Sequence, residues 1–245
     1  MLKAFADGRL FGATYGTDSR WVLALHGWRR THRDFDLVLA GLDAVALDLP
    51  GFGGATPPPP TAWGPAEYAQ AVAPVLDDLG PEVVVLGHSF GGRVALHLAV
   101  ARPERVRALV VSGAPFLRPP GAPRRRPDRR YRLAGALHRV GVLGDERMEA
   151  VRRRHGSADF RAATGVMREV LVRSVNETDE QQLRAVSCPV ELVWGEADLE
   201  APPAVAEAAL GLLAHGRLTL RPGVGHFVPT EDAQALRDAV ERHRP

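Results

Sequence analysis

A single cysteine in 245 residues, Cys188, leaves no partner for an internal disulfide and no set of thiols for a cysteine-rich metal site. It precedes Pro189 at the start of an apolar run and reads as buried and inert. Lysine is equally scarce: Lys3 is the only one, so arginine carries nearly all the positive charge. Long hydrophobic runs are missing too. None approaches the ~20 apolar residues of a membrane-spanning helix, and Met1–Phe5 lacks the apolar stretch of a secretory signal. The expected compartment is the cytoplasm, with no membrane partner. In that setting the Asn176-Glu177-Thr178 sequon carries no meaning.

What is present is ordinary globular composition, 45% hydrophobic and 24% charged, in a length that suits one domain or one domain with an insertion. The net charge of +2 conceals an asymmetry. Phe116–Val186 holds 16 arginines against 9 acidic residues, whereas the remainder holds 15 basic residues against 20 acidic ones. This suggests a separate unit. Without aromatic residues interleaved to stack on bases, the arginines read as a solvated helical surface, and nucleic acid is not expected as a partner.

Alternating strand and helix signals run through the chain. Lys3–Phe5 and Leu10–Tyr15 read as strands joined by an Asp7-Gly8 hairpin, Trp21–Leu25 as a buried strand, and Val45–Leu47 as the next. Asp34–Leu42 reads as a short helix and Pro65–Leu79 as a longer one, with Pro57–Pro60 a stiff connector before it. Val83–Leu86 is a β-branched strand, Phe90–Ala101 a helix, and Val106–Val111 a strand. Some seventy residues without strand signals follow: a Pro/Arg-rich stretch expected to be mobile, then helical segments near Arg130–Val140, Arg147–Arg153 and Asp159–Val175. Strands Val190–Trp194 and Arg217–Leu220 and helices Val205–Leu213 and Thr230–Arg242 complete the pattern. The spacing predicts an α/β fold: a mostly parallel sheet covered by helices on both faces, with an antiparallel edge from the first hairpin. Residues 1–115 and 187–245 form its core. Residues 116–186 form a helical cap inserted between strands, placed to cover the sheet's carboxyl edge.

At that edge Gly87-His88-Ser89-Phe90-Gly91 fits the G-x-S-x-G pattern between a buried strand and an apolar helix. Such a turn strains the serine backbone and needs small flanking residues, and it presents the hydroxyl beside a helix N-terminus. A serine hydroxyl attacks poorly without a base, and the base needs an orienting group. His226, in the glycine-punctuated loop after the last strand, is the candidate base. His88 should point away from the serine, and His26 shapes the loop after Trp21–Leu25; the remaining histidines have no motif context. For the acid, the loop after Val190–Trp194 offers Glu196, Asp198 and Glu200. Asp198 is preferred, with both glutamates facing solvent, and Asp48 reads as a turn-stabilising carboxylate. An oxyanion hole needs two donors, for which the Phe90 and Trp28 N–H groups fit. Trp28, Phe90, Phe116 and Phe227 are candidate pocket residues, and Arg29, Arg30 and Arg33 could favour an anionic substrate.

Five motifs in order, His26-Gly27-Trp28, Asp48-Leu49-Pro50-Gly51-Phe52-Gly53, Gly87–Gly92, Gly195-x-x-Asp198-x-x-x-Pro202 and Gly225-His226, resemble the small capped serine hydrolases of the α/β-hydrolase superfamily. The resemblance spans Trp21 to the end, with only the cap lacking a motif. It implies that superfamily's strand order, a Ser89–His226–Asp198 triad, and no metal or organic cofactor. Ser89 argues against its haloalkane dehalogenases and epoxide hydrolases, which need a carboxylate there. The leading expectation is a serine esterase cleaving a carboxylic ester or thioester of a small or medium acyl substrate, as a monomer or homodimer. The alternatives are a carbon–carbon bond hydrolase or lyase of aromatic or menaquinone-type metabolism, and a non-catalytic ligand-binding member.

Overall fold

The buried β-branched runs of the sequence become the middle of one sheet. In the computed structural model, which describes residues 2–17, 19–119, 133–134, 136–138, 140–142, 144, 147–148, 150–151 and 158–245, eight strands are ordered β1-β2-β4-β3-β5-β6-β7-β8. They are β1 (Lys3–Phe5), β2 (Leu10–Tyr15), β3 (Val22–Leu25), β4 (Ala44–Asp48), β5 (Val83–His88), β6 (Val106–Ser112), β7 (Val190–Gly195) and β8 (Gly216–Arg221). The β1–β2 and β2–β4 pairings are antiparallel and all the others parallel. Alternate side chains of the central strands feed two cores. Leu23, Leu25, Val83, Val85, Leu109 and Val111 pack on one face, and Val22, Ala24, Val84, Leu86, Ala108 and Val110 on the other. Each fully buried Val or Leu contributes about 1.5–3 kcal/mol relative to exposure.

Two expected helices are interrupted, each for a local reason. The Pro65–Leu79 run is helical over Pro65–Val72 (α2) and then tightens into a 3₁₀ turn over Ala73–Asp78. Pro74 has no N–H to continue the α pattern. The last helix divides into Val228–Glu231 and Ala233–Glu241 because Asp232 leaves helical geometry (φ −147°, ψ 61°) to cap the second piece, accepting from the Ala235 N–H. The short helix near Asp34 likewise begins as a 3₁₀ turn, His32–Phe35, followed by α1 (Asp36–Leu39). By contrast, α3 spans Phe90–Ala101 as its periodicity predicts.

Between β6 and β7 lie α4 (Ala158–Ala162), α5 (Gly165–Asn176) and α6 (Glu180–Ala185), with helical backbone also at 133–138 and 147–151 among the described residues there. The expected mobile Pro/Arg-rich stretch falls almost wholly outside the described residues. Among those that are described, no helix is long and apolar enough to cross a membrane. Cys188 is partly buried against the core, and burial pushes its thiol up to about 11.

One buried ion pair ties these helices to α3. Arg93, only 2% exposed, donates from Nε to Asp179 Oδ2 at 2.5 Å and from Nη2 to Oδ1 at 3.1 Å, and from Nη1 to the Ser174 carbonyl. His97 Nε2 lies 2.9 Å from the same carboxylate. The Asp179 N–H donates to the Phe116 carbonyl, joining both ends of the inserted segment at this point. A buried charge stripped of its partner costs far more than a surface pair. Asp179→Ala is therefore expected to destabilise the protein by about 3–5 kcal/mol in urea unfolding. Glu82→Ala, which breaks the exposed Arg107–Glu82 pair, should cost less than about 1 kcal/mol.

Candidate active site

Ser89 sits between β5 and α3 in the left-handed region, at φ 52° and ψ −117°. A non-glycine residue there stores roughly 1–3 kcal/mol of strain, and the surroundings show why the chain accepts it. A Cβ built on Gly91 would stand 2.1 Å from the Leu25 carbonyl oxygen, and one on Gly87 2.5 Å from the Gly92 Cα. The helix can thus press onto the ends of β3 and β5, while the Ser89 N–H donates to the Ser112 carbonyl at 2.8 Å and pins the turn to β6.

The loops after β7 and β8 meet beside this turn. His226 Nδ1–H donates to Asp198 Oδ2 at 2.9 Å. The other oxygen, Oδ1, accepts the Glu200 and Ala201 N–H groups, each at 2.9 Å. Asp198 is thereby oriented and, at 2% exposed, shielded. Burial alone would depress the His226 pKa, but the Asp198 hydrogen bond and the nearby carboxylates more than offset this and raise it above 6.5. Both His226 and Ser89 line one cavity, yet the Ser89 hydroxyl makes no hydrogen bond among the described residues. His226 Nε2 instead lies 3.4 Å from Glu200 Oε2. Glu200 was expected to face solvent; it is 62% exposed at the side chain but turns its carboxylate toward the imidazole. Glu196 is exposed.

The other histidines near the site hold structural contacts, although His88, expected to point away from the serine, borders one of the chambers that Ser89 lines. His26 accepts the Leu49 N–H at Nε2, so its proton is on Nδ1, which donates to the Gly27 carbonyl. It braces two loops, and burial lowers its pKa. His88 Nδ1 shares a 3.0 Å hydrogen bond with Ser112 Oγ. Burial, aided by repulsion from His226, pushes its pKa down to about 3, so it is neutral. Ser112 is fully buried and lines neither cavity of the site, so this second serine–histidine contact cannot meet a substrate. Asp48, also buried, accepts from the His32 N–H and lies 2.9 Å from His32 Nδ1, holding the loop that carries Trp28.

Two chambers open on Ser89, sharing Trp28, Asp159, Glu200 and His226 in their walls. The first, about 310 Å³, continues along Phe90, Pro115, Leu117, Leu171 and Val175. The second, about 290 Å³, is walled by Arg29, Arg30, His88 and Phe227. Neither the Trp28 nor the Phe90 amide N–H has an acceptor among the described residues. Trp28 packs edge-on against Phe52 and Phe90, with ring centroids 5.1 and 5.8 Å away. Phe116 is fully buried in the core and lines neither chamber; its neighbours Pro115 and Leu117 do. Of the three arginines expected to make a basic mouth, two are paired with carboxylates and the third lies outside the chambers. Arg30 grips Asp34 through two 2.7 Å hydrogen bonds and lies over the Phe227 ring, Arg29 pairs with Asp159 at 3.3 Å, and Arg33 is exposed outside both chambers.

Two supporting residues escaped the sequence reading. Glu231 accepts the Gly225 N–H at 2.6 Å and the Phe227 N–H at 3.3 Å, clamping the backbone on both sides of His226. Gly113 has φ +59°, and a Cβ there would stand 3.0 Å from the His226 ring. A glycine after a strand ending at the sheet's carboxyl edge was the available signal for it. Among the described residues no cluster of three or more His, Cys, Asp or Glu could hold a metal ion.

Because the Asp198 carboxylate holds the proton on His226, Asp198→Ala should lower the His226 pKa. A histidine titration followed by NMR checks this; an unchanged pKa would mean that the contact does not govern the imidazole.

Comparison with known proteins agrees with this architecture. Residues 22–239 match the family model described as the alpha/beta hydrolase family. Lipase LipV of Mycobacterium tuberculosis is 39% identical over 92 residues, which is 37% of this chain and 35% of that protein. A 2-hydroxy-6-oxononadienedioate/2-hydroxy-6-oxononatrienedioate hydrolase of Cupriavidus pinatubonensis is 25% identical over 261 residues, covering 92% of this chain and 86% of the relative. The solved structure of a thermophilic esterase from Thermogutta terrifontis superposes with a TM-score of 0.68 at 21% identity, covering 99% and 97% of the two chains, a likeness of fold. With the family model matching residues 22–239, most of this chain, and the sheet order, elbow and loop positions in place, the chain belongs to the alpha/beta hydrolase family.

Proposed function

We propose that this protein is a serine hydrolase that cleaves carboxylic esters or thioesters of a small or medium acyl substrate through an acyl-enzyme on Ser89. The observation that carries the reading is the convergence, at one cavity, of a strained and accessible serine with a histidine whose far nitrogen is held by a buried aspartate. Esterase and lipase relatives in the family support it.

In this reading His226 Nε2 takes the proton from Ser89 Oγ as the hydroxyl attacks the acyl carbonyl, and Asp198 stabilises the resulting imidazolium. The tetrahedral oxyanion is received by the Trp28 and Phe90 N–H groups, which have no other acceptor among the described residues. Collapse expels the alcohol or thiol, which leaves with the proton from His226. Water, deprotonated by the same imidazole, then attacks the acyl-enzyme; the second collapse releases the acid and returns the proton to Ser89. The apolar chamber suits the acyl chain and the polar one the leaving group. No metal or organic cofactor takes part in these steps. The substrate is the partner this site calls for.

A second reading, hydrolysis of a carbon–carbon bond by the same residues, draws on the Cupriavidus pinatubonensis relative that aligns along most of both chains. Turnover of a vinylogous diketone in the absence of ester turnover would favour it.

Release of p-nitrophenol from short and medium acyl esters tests the proposal. Ser89→Ala should lower kcat by at least about 10⁴-fold with the fold intact by circular dichroism; equal release by both proteins would sink the nucleophile assignment. The pH profile supplies an independent check. The base acts only when neutral, and its pKa is raised, so kcat/KM should fall on acidification with a midpoint above 6.5.

A further inference from the structure

The charges around the leaving-group chamber do not balance in the way its arginines suggest. Arg29 is paired with Asp159, and Arg30 is held by Asp34 in a two-pronged bond that fixes the guanidinium plane. Each pair sums to zero at the chamber wall. The remaining ionised group is Glu200, whose carboxylate lies 3.4 Å from His226 Nε2 and whose only ionic partner among the described residues is that histidine. Glu200 lines both chambers, so it borders the point where acyl and leaving groups separate.

We infer that Glu200 sets the leaving-group charge: the site takes acyl esters whose departing alcohol is cationic or uncharged, and disfavours those whose alcohol carries a carboxylate or phosphate. The inference rests on the hydrolase reading above, in which His226 hands its proton to the departing oxygen beside Glu200. A cation on the alcohol would sit against the Glu200 carboxylate once His226 is neutral. An anion there would meet Glu200 with the arginines already occupied. Because Glu200 is partly solvated, the effect is modest.

The groups facing His226 are Asp198 on Nδ1, Glu200 on Nε2, Glu231 across the loop from the short helix Val228–Glu231, and neutral His88, whose ring centroid is 4.9 Å away. Asp198 and Glu231 also hold hydrogen bonds that fix the loops. Among the described residues the Glu200 side chain makes none in the same role, so it can be changed with little effect on folding.

Three acetyl esters of matched shape test this: one with a quaternary ammonium on the alcohol, one with the isosteric neutral tert-butyl group, and one with a carboxylate. At pH 8.5 and low salt, kcat/KM should fall in that order by about three- to tenfold per step. Glu200→Gln should bring the three together when each is expressed as a ratio to the neutral ester of the same protein, and salt at about 1 M should compress the wild-type order. The acid limb of the Glu200→Gln pH profile should also move to lower pH. Equal kcat/KM for the three esters in the wild type, or an order that survives Glu200→Gln, overturns the assignment of Glu200 while the neutral ester still reports hydrolysis at Ser89. Failure of the wild type to turn over any of the three overturns the hydrolase reading, and this inference with it.

Discussion

The close approach of α3 to the ends of β3 and β5 is the constraint from which the site follows. Gly87, Gly91 and Gly92 leave no room for a side chain, with a Gly92 Cβ only 2.6 Å from Val111 Cγ1. The helix can therefore start almost at the end of the strand, and the one residue left to make the turn, Ser89, is driven to φ 52°. Strain of that kind persists only where packing over-determines it. Here the hydrophobic faces of the sheet and the Ser89–Ser112 backbone hydrogen bond do so. The result is a hydroxyl held at the sheet edge by a rigid scaffold, with the amides of the following helix beside it.

Electrostatics then completes what packing begins. The His226–Asp198 contact lies between two loops that start from neighbouring parallel strands, β7 and β8, so sheet register decides that they meet. The Trp194 indole N–H donates to the Ala201 carbonyl at 2.7 Å and fixes the Asp198 loop, while Glu231 fixes the His226 loop. The buried Arg93–Asp179 pair extends the same logic to the inserted helices. Arg93 stands one turn beyond Ser89 and also lines the apolar chamber, so the chamber's roof, supplied by Leu171 and Val175, is anchored to the helix that carries the serine. Ser89 and these lining residues share one attachment.

Much of this was legible in the sequence, because it depends on local periodicity and turn chemistry. The β1–β2 hairpin and α3 fall where alternation and helical spacing place them. The five motifs put Ser89, Asp198 and His226 on loops at one edge, and the structure brings the last two into contact. What stayed hidden depends on partners distant in the chain or on a competing local bond. Asp232 reads as a helical residue until its carboxylate is seen to cap the next turn and to accept from Arg221. Arg29 and Arg30 read as a basic mouth because Asp159 lies 130 residues away and the Asp34 grip depends on the fold of one turn. Phe116 follows a strand at the sheet's carboxyl edge and still turns into the core, which no spacing announces.

The neutralised arginines bear on how such a site selects. A cavity wall rich in guanidinium groups attracts anions only if those groups keep unmet charge, and a two-pronged carboxylate already satisfies the fork that an anionic substrate would use. Sequence composition counts arginines; selection depends on the charge left after pairing. In this chain the positive excess of the inserted segment and the paired arginines of the loop after β3 are separate matters. His226 instead lies between two carboxylates, one on each of its ring nitrogens. Asp198 is buried and also accepts two backbone N–H groups, so it orients the imidazole. Glu200 is partly solvated and, among the described residues, its side chain has only His226 as an ionic partner. In the proposed reaction, a buried carboxylate on Nδ1 and a partly solvated one on Nε2 would let the same histidine be held firmly and still be sensitive to the group that leaves.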